Sequence, residues 1–161
     1  DSVEGAGWEF LFVAIDDHAR IGFTDMYPDE RKTSAVQFLE NTIAYFRSLG
    51  VRVRRVLTDN GNEFRAQRFG KRLQSLGATQ TKIRAGRPQT NGHVERLHRT
   101  ILEDCWRPAF ARYLQVRLTG LRRELEVFVD DYNFRRAHDG RHTRGRAPAD
   151  LVYGARKMEP R

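Results

Sequence analysis

Two carboxylates in this chain are placed to do chemistry together. Asp59 ends an apolar run as Val56-Leu57-Thr58-Asp59-Asn60-Gly61, and Glu95 follows the loop Arg87-Pro88-Gln89-Thr90-Asn91-Gly92, which opens a helix. Thirty-five residues lie between them. A strand end and the first helical turn beside it can bring such a pair together. Hard divalent cations prefer oxygen ligands and keep several waters, so carboxylates at the open end of a sheet suit Mg²⁺ or Mn²⁺. In a two-metal site the ions lie roughly 3.5 to 4 Å apart and clamp the attacking and leaving oxygens of a phosphoryl displacement. We read Asp59 and Glu95 as sharing metal. Taken alone, Asp-Asn-Gly is also an ordinary turn, and Glu95 an ordinary solvated helix residue.

The elements that must position them follow from periodicity. Trp8 to Ile15 (WEFLFVAI) is a nearly continuous apolar run, as expected of a strand buried on both faces, after a turn at Gly5-Ala6-Gly7. Ile21 to Tyr27 alternates, so the two form an antiparallel hairpin or meander. Thr33-Ser34 offers a cap for a helix with apolar positions Val36, Leu39, Ile43 and Phe46, ending at Gly50. Val51 to Leu57 is a third strand, and strand, helix, strand suggests a parallel crossover. Its carboxyl end delivers Asp59, where ligands of α/β sheets bind. Phe64 to Leu76 reads as one helix ended by Gly77, Ala78 to Ile83 as a short strand, and Ala85 to Thr90 as a basic loop. Val94, Leu97, Ile101, Leu102 and Cys105 mark the buried stripe of the next helix, with Glu95 and Arg99 one turn apart on another face. Leu114 to Tyr132 carries a further helical pattern, and the basic stretch from Arg135 to Arg146 reads as a surface loop.

At 161 residues the chain fits one domain with a sizeable core. It carries 29 Lys and Arg against 21 Asp and Glu, a net charge of +8 dominated by Arg, which points to a polyanionic partner. The bland alternative is a solvated basic surface. A single cysteine, Cys105, excludes an internal disulfide, and no Cys/His group has zinc-finger spacing, so a cytoplasmic context is expected. No apolar run approaches the roughly 20 residues that span a bilayer, so no membrane partner is expected.

The segment Val56 to Gly61, with Phe64 after it, resembles the second-aspartate segment of the catalytic core of retroviral integrases and bacterial insertion-sequence transposases. Arg87 to Arg96 resembles the glutamate segment of the same family, and the thirty-five-residue gap is the family's spacing. Gly7 to Phe10 and Val13 to Arg20 resemble its strand and turn. Tyr132-Asn133, Arg136, His138, Gly140, Gly145, Pro148 and Leu151 resemble the pattern that closes these cores.

The resemblance implies an α/β, RNase H-like fold, a five-stranded mixed sheet flanked by helices, with an Asp, Asp, Glu metal site. It makes residues 1–161 an integrase or transposase catalytic core, truncated at its front in one reading. By position Asp59 is the second aspartate and Glu95 the glutamate. The first aspartate falls either on Asp1 or on a strand upstream of it, with Asp16 and Asp17 weaker choices because they match a turn. Asn91, Asn62 and Arg99 take positions that touch DNA, although each has an equally good structural reading. The implied cofactor is Mg²⁺ or Mn²⁺, and the implied partners are DNA and further copies of the chain. The implied reaction is polynucleotidyl transfer, cleaving a DNA end and joining it to a target. Two alternatives remain, a DNA-binding or assembly module of the same fold and a nuclease without strand transfer.

Overall fold

In the computed structural model, residues 9–83, 92–112 and 117–154 are described. Strand β1 (Phe10–Ile15) runs antiparallel to β2 (Gly22–Tyr27), pairing Phe10 with Tyr27 and Ile15 with Gly22. The turn between them is closed by Asp16, whose backbone N–H donates to the Ile21 carbonyl at 2.8 Å and whose carboxylate accepts from the Ala19 N–H. Arg20 sits at φ 69° in that turn.

Every side chain of β1 is used. Phe10, Phe12 and Ala14 face one core cluster, and Leu11, Val13 and Ile15 face a second on the other side. That two-sided burial is why the stretch has no polar alternation.

The first cluster is covered by α1 (Lys32–Ser48), which buries Val36, Phe38, Leu39, Ile43 and Phe46. Phe12 meets Phe38 at 5.3 Å and Tyr27 edge-on at 5.4 Å, aromatic pairs that add about 0.5 to 1.5 kcal/mol each beyond area burial. The helix begins before the expected Thr33-Ser34 cap. Its N-cap is Arg31, without a side-chain cap bond, because the Ser34 hydroxyl donates instead to Asp29 at 2.6 Å.

Strand β3 (Arg55–Thr58) is shorter than the expected 51–57 stretch, and it pairs in parallel with β4 (Thr79–Lys82). The crossover joining them holds α2 (Asn62–Arg65) and α3 (Gln67–Ser75) in place of one continuous helix. The break falls at Ala66, whose extended backbone (φ −61°, ψ 133°) turns the chain so that Phe69 and Leu73 enter the core under α1. Gly77 ends the segment at φ 82°, as a helix-terminating glycine does.

Helix α4 (Gly92–Thr100) continues into a π-helical stretch, residues 101–106, and then α5 (Arg107–Arg112). With α6 (Leu118–Phe134) these elements cover the second face of β1. Leu97, Ile101 and Cys105 are buried as the stripe predicts, whereas Leu102 turns outward at 39% exposure, one residue off the buried line. A last helix, α7 (Pro148–Tyr153), packs on α6, and the 135–146 stretch is tied back by a bridge between His138 and Arg146. Among the described residues the strands form two two-stranded ladders, not one five-stranded sheet. β1 and β3 therefore each have one edge without a ladder partner there.

Candidate active site

Asp59 follows directly on the carboxyl end of β3 and is exposed. Its Oδ1 accepts the Gly61 N–H at 2.9 Å, the Asx turn that Asp-Asn-Gly specifies. The flanking residues are pinned. Thr58 is buried, and its hydroxyl oxygen accepts from the Gln80 amide of β4 at 2.9 Å. The same Gln80 amide donates to the Phe64 carbonyl of α2 at 2.9 Å, and the Asn60 amide donates to the Ile83 carbonyl at 3.1 Å. These bonds define the turn and leave the Asp59 carboxylate in solvent.

Glu95 lies in the first turn of α4 and is also exposed. Two residues along a helix point to opposite sides, so the burial of Leu97 against Leu11, Val13 and Ile15 turns Glu95 outward. Arg99, one turn on, shares that exposed side. His93, in the same turn, has its Nε2 3.9 Å from Asp17, and burial first, then the Arg20 charge, lowers its pKa below the usual histidine range. Asn62 is exposed at the start of α2, three residues after Asp59.

Asp1 and Asn91 lie outside the described residues, so the pair present is Asp59 and Glu95. Among the described residues no three acidic, histidine or cysteine side chains gather closely enough to hold a metal ion. Each of the two carboxylates is an exposed oxygen donor of the kind a hard cation takes, Asp59 at the end of β3 and Glu95 on α4. Asp16 and Asp17 are occupied in the β1–β2 turn, Asp16 with Ala19 and Asp17 with Arg20 and His93. Cys105 is buried and its thiol is pushed up to about 11, so it offers no thiolate. Sequence reasoning missed Gln80 and Asn60 as the groups that set the Asp59 turn. The strand gives little signal for Gln80, because all four residues of β4 are polar and only Gln80 is half-buried.

The fold has clear counterparts. Aligned with the simian T-cell lymphotropic virus intasome structure, it gives a TM-score of 0.78 at 21% identity, covering 97% of this chain and 52% of that one. With the HTLV-2 integrase catalytic core domain in complex with magnesium, in its trimeric form, the TM-score is 0.71 at 15% identity, over 94% and 89% of the two chains. The fold is thus the RNase H-like one of integrase catalytic cores. Residues 1–88 match the family described as the integrase core domain, and residues 76–144 match a second family of that description. The chain belongs to the integrase core domain family. The retrovirus-related Pol polyprotein from transposon TNT 1-94 of Nicotiana tabacum is 33% identical over 103 residues, 63% of this chain and 8% of that protein. The chain spans between 8% and 13% of the length of the curated relatives it matches. No helix among the described residues is long and apolar enough to cross a membrane.

Proposed function

We propose that this chain is the catalytic core of an insertion-sequence type polynucleotidyl transferase that cuts a DNA end and joins it to a target strand. The observation that carries the reading is the placement of Asp59 and Glu95, two exposed carboxylates on rigid, core-anchored elements of an integrase fold. In the first step water attacks the phosphorus, the bond to the 3′-oxygen breaks, and the 3′-hydroxyl is freed. In the second that hydroxyl attacks a target phosphodiester and displaces the target's own 3′-oxygen. Asp59 and Glu95 would hold divalent metal, whose chemistry is to activate the attacking oxygen and stabilise the leaving one. The magnesium in the HTLV-2 core supports that choice of ion, and its trimeric form supports self-association. Asn62, Asn91 and Arg99 would contact DNA beside the two carboxylates, and residues 1–161 would act as one catalytic unit.

A third carboxylate belongs to this reading. Asp1 is one candidate, and a strand upstream of it, pairing with the edges of β1 and β3 that have no ladder partner among the described residues, is the other. The test is Mg²⁺- or Mn²⁺-dependent cleavage and joining of a DNA end, with Asp59→Asn abolishing both. If cleavage occurs and Asp1→Asn removes it, Asp1 is the third ligand. If cleavage appears only in a longer chain carrying an upstream Asp, that residue is the ligand. Cleavage without joining would leave a nuclease. A second reading is a DNA-binding or assembly module of the same fold, and DNA binding without metal-dependent cleavage in either chain would establish it.

A further inference from the structure

On the layer formed by α1 and α3 are two shallow depressions of about 590 and 420 Å³, lined by successive turns of α1 and by the neighbouring residues Ser75 and Leu76. The first runs between Val36 and Glu40 of α1 and the outer side of α3. The second continues past Ile43 and Arg47 to residues 50–53 and Leu76. Val36, Glu40, Ile43 and Arg47 recur at helical spacing, so they form one stripe about 16 Å long at 1.5 Å rise per residue. This trough lies across the β1 core from α4, which carries Glu95.

Its walls are cationic. Arg68, Lys71 and Arg72 of α3 line the first part, and Arg47 and Arg52 the second. Glu40 is the one carboxylate lining it among the described residues, and it is occupied by Arg72 at 2.6 Å. Arg47, Arg52, Arg68 and Lys71 are exposed and meet no carboxylate within ion-pair distance among the described residues. Like charges crowded along one groove repel one another, and a polyanion laid along them relieves that repulsion.

We propose that this trough seats the phosphate backbone of a DNA duplex, as a second contact across the β1 core from α4 and Glu95. The inference rests on the reading of the chain as a DNA-processing core. Arg predominates among the lining cations, and its planar fork matches phosphate oxygens. No aromatic side chain lines the trough among the described residues, so the stacking platforms that hold single strands are missing and a duplex backbone fits better. An acidic peptide is the alternative occupant, because the half-buried Val51, Val53 and Leu76 of the second depression could take an apolar anchor, and the competition arm of the test separates it from a duplex.

The test uses the full chain and a fluorescent duplex of arbitrary sequence, with affinity measured across a salt series. The variant Arg52→Gln, Arg68→Gln, Lys71→Gln is compared with Arg107→Gln, Arg112→Gln, Arg123→Gln, which removes the same charge from exposed positions of α5 and α6. The trough variant should lose roughly two to three units of log-log salt slope, about 0.9 for each phosphate contact, and bind more than tenfold more weakly at low salt. The control should lose much less. Equal losses in both variants, or an unchanged slope in the trough variant, would overturn the proposal while leaving DNA binding intact. Stronger competition by polyglutamate than by duplex, lost in the trough variant, would assign the trough to an acidic protein instead. If the unaltered chain bound no duplex at all, the DNA-processing reading itself would fall.

Discussion

The side-chain amide of Asn133 completes both backbone hydrogen bonds of Gly22. Its Oδ1 accepts the Gly22 N–H at 2.8 Å and its Nδ2 donates to the Gly22 carbonyl at 2.7 Å, across 111 residues of sequence. Asn133 is fully buried in α6, and its Nδ2 also bonds the Tyr45 hydroxyl at 3.0 Å. One side chain thus acts as a strand partner at the start of β2 and locks α6 and α1 to the hairpin. A Cβ on Gly22 would come within 2.8 Å of Leu97 Cδ2, so any larger residue there must displace a buried side chain of the helix that carries Glu95.

Asn133→Leu should therefore cost roughly 2 to 6 kcal/mol, because it strands two buried backbone groups at about 1 to 3 kcal/mol each. Gly22→Ala should cost about 1 to 3 kcal/mol by overpacking against Leu97. Urea unfolding midpoints measure both, and a loss under 0.5 kcal/mol for Asn133→Leu would contradict the role given to the amide.

Asp59→Asn and Glu95→Gln should each remove the heat of Mn²⁺ binding in a calorimetric titration while leaving the unfolding midpoint nearly unchanged, since both side chains are exposed. Unaltered binding in both variants would rule out a shared site. Gln80→Leu touches neither carboxylate, yet it unties Thr58 and the Phe64 carbonyl from the Asp59 turn. It should weaken Mn²⁺ binding about tenfold, as the loss of groups that orient a ligand does, with a stability cost of about 1 to 2 kcal/mol.

If Arg99 touches a phosphate from its exposed place one turn beyond Glu95, Arg99→Ala should lower the log-log salt slope of duplex binding by about one unit. An unchanged slope would return Arg99 to an ordinary surface role.

Acid should destabilise the fold through His138 and His93. Burial lowers both pKa values below the ordinary 6.5, outweighing for His138 the bond to the Tyr132 carbonyl, which acts the other way. A histidine whose folded pKa is depressed takes up its proton more readily in the unfolded chain, so this contribution to stability is full above about 6.5 and is lost as pH falls below it. Thermal midpoints should be level from pH 8 to 7 and drop below 6.5, and His138→Gln should make that drop shallower. A midpoint flat down to pH 5 would exclude both groups.

Local patterns settled much of this protein before any tertiary contact was known. The two-sided apolar run of β1 marks a strand buried on both faces, and the 3.6-residue stripe through Leu97, Ile101 and Cys105 sets which side of α4 is buried, which leaves Glu95 outside. The Asp-Asn-Gly turn at the end of β3 is equally local, because an Asx turn is made by a side chain and the backbone two residues on. Tertiary structure decided what depends on which polar groups would otherwise be stranded. Asn133 pairs with Gly22 and Gln80 with Thr58 because those buried groups have nowhere else to bond, and that need is invisible to periodicity. The helix start before Thr33-Ser34 goes with a near contact, Ser34 with Asp29. The break at Ala66 and the outward turn of Leu102 follow packing against distant elements, which outweighed a local preference worth about 1 kcal/mol or less.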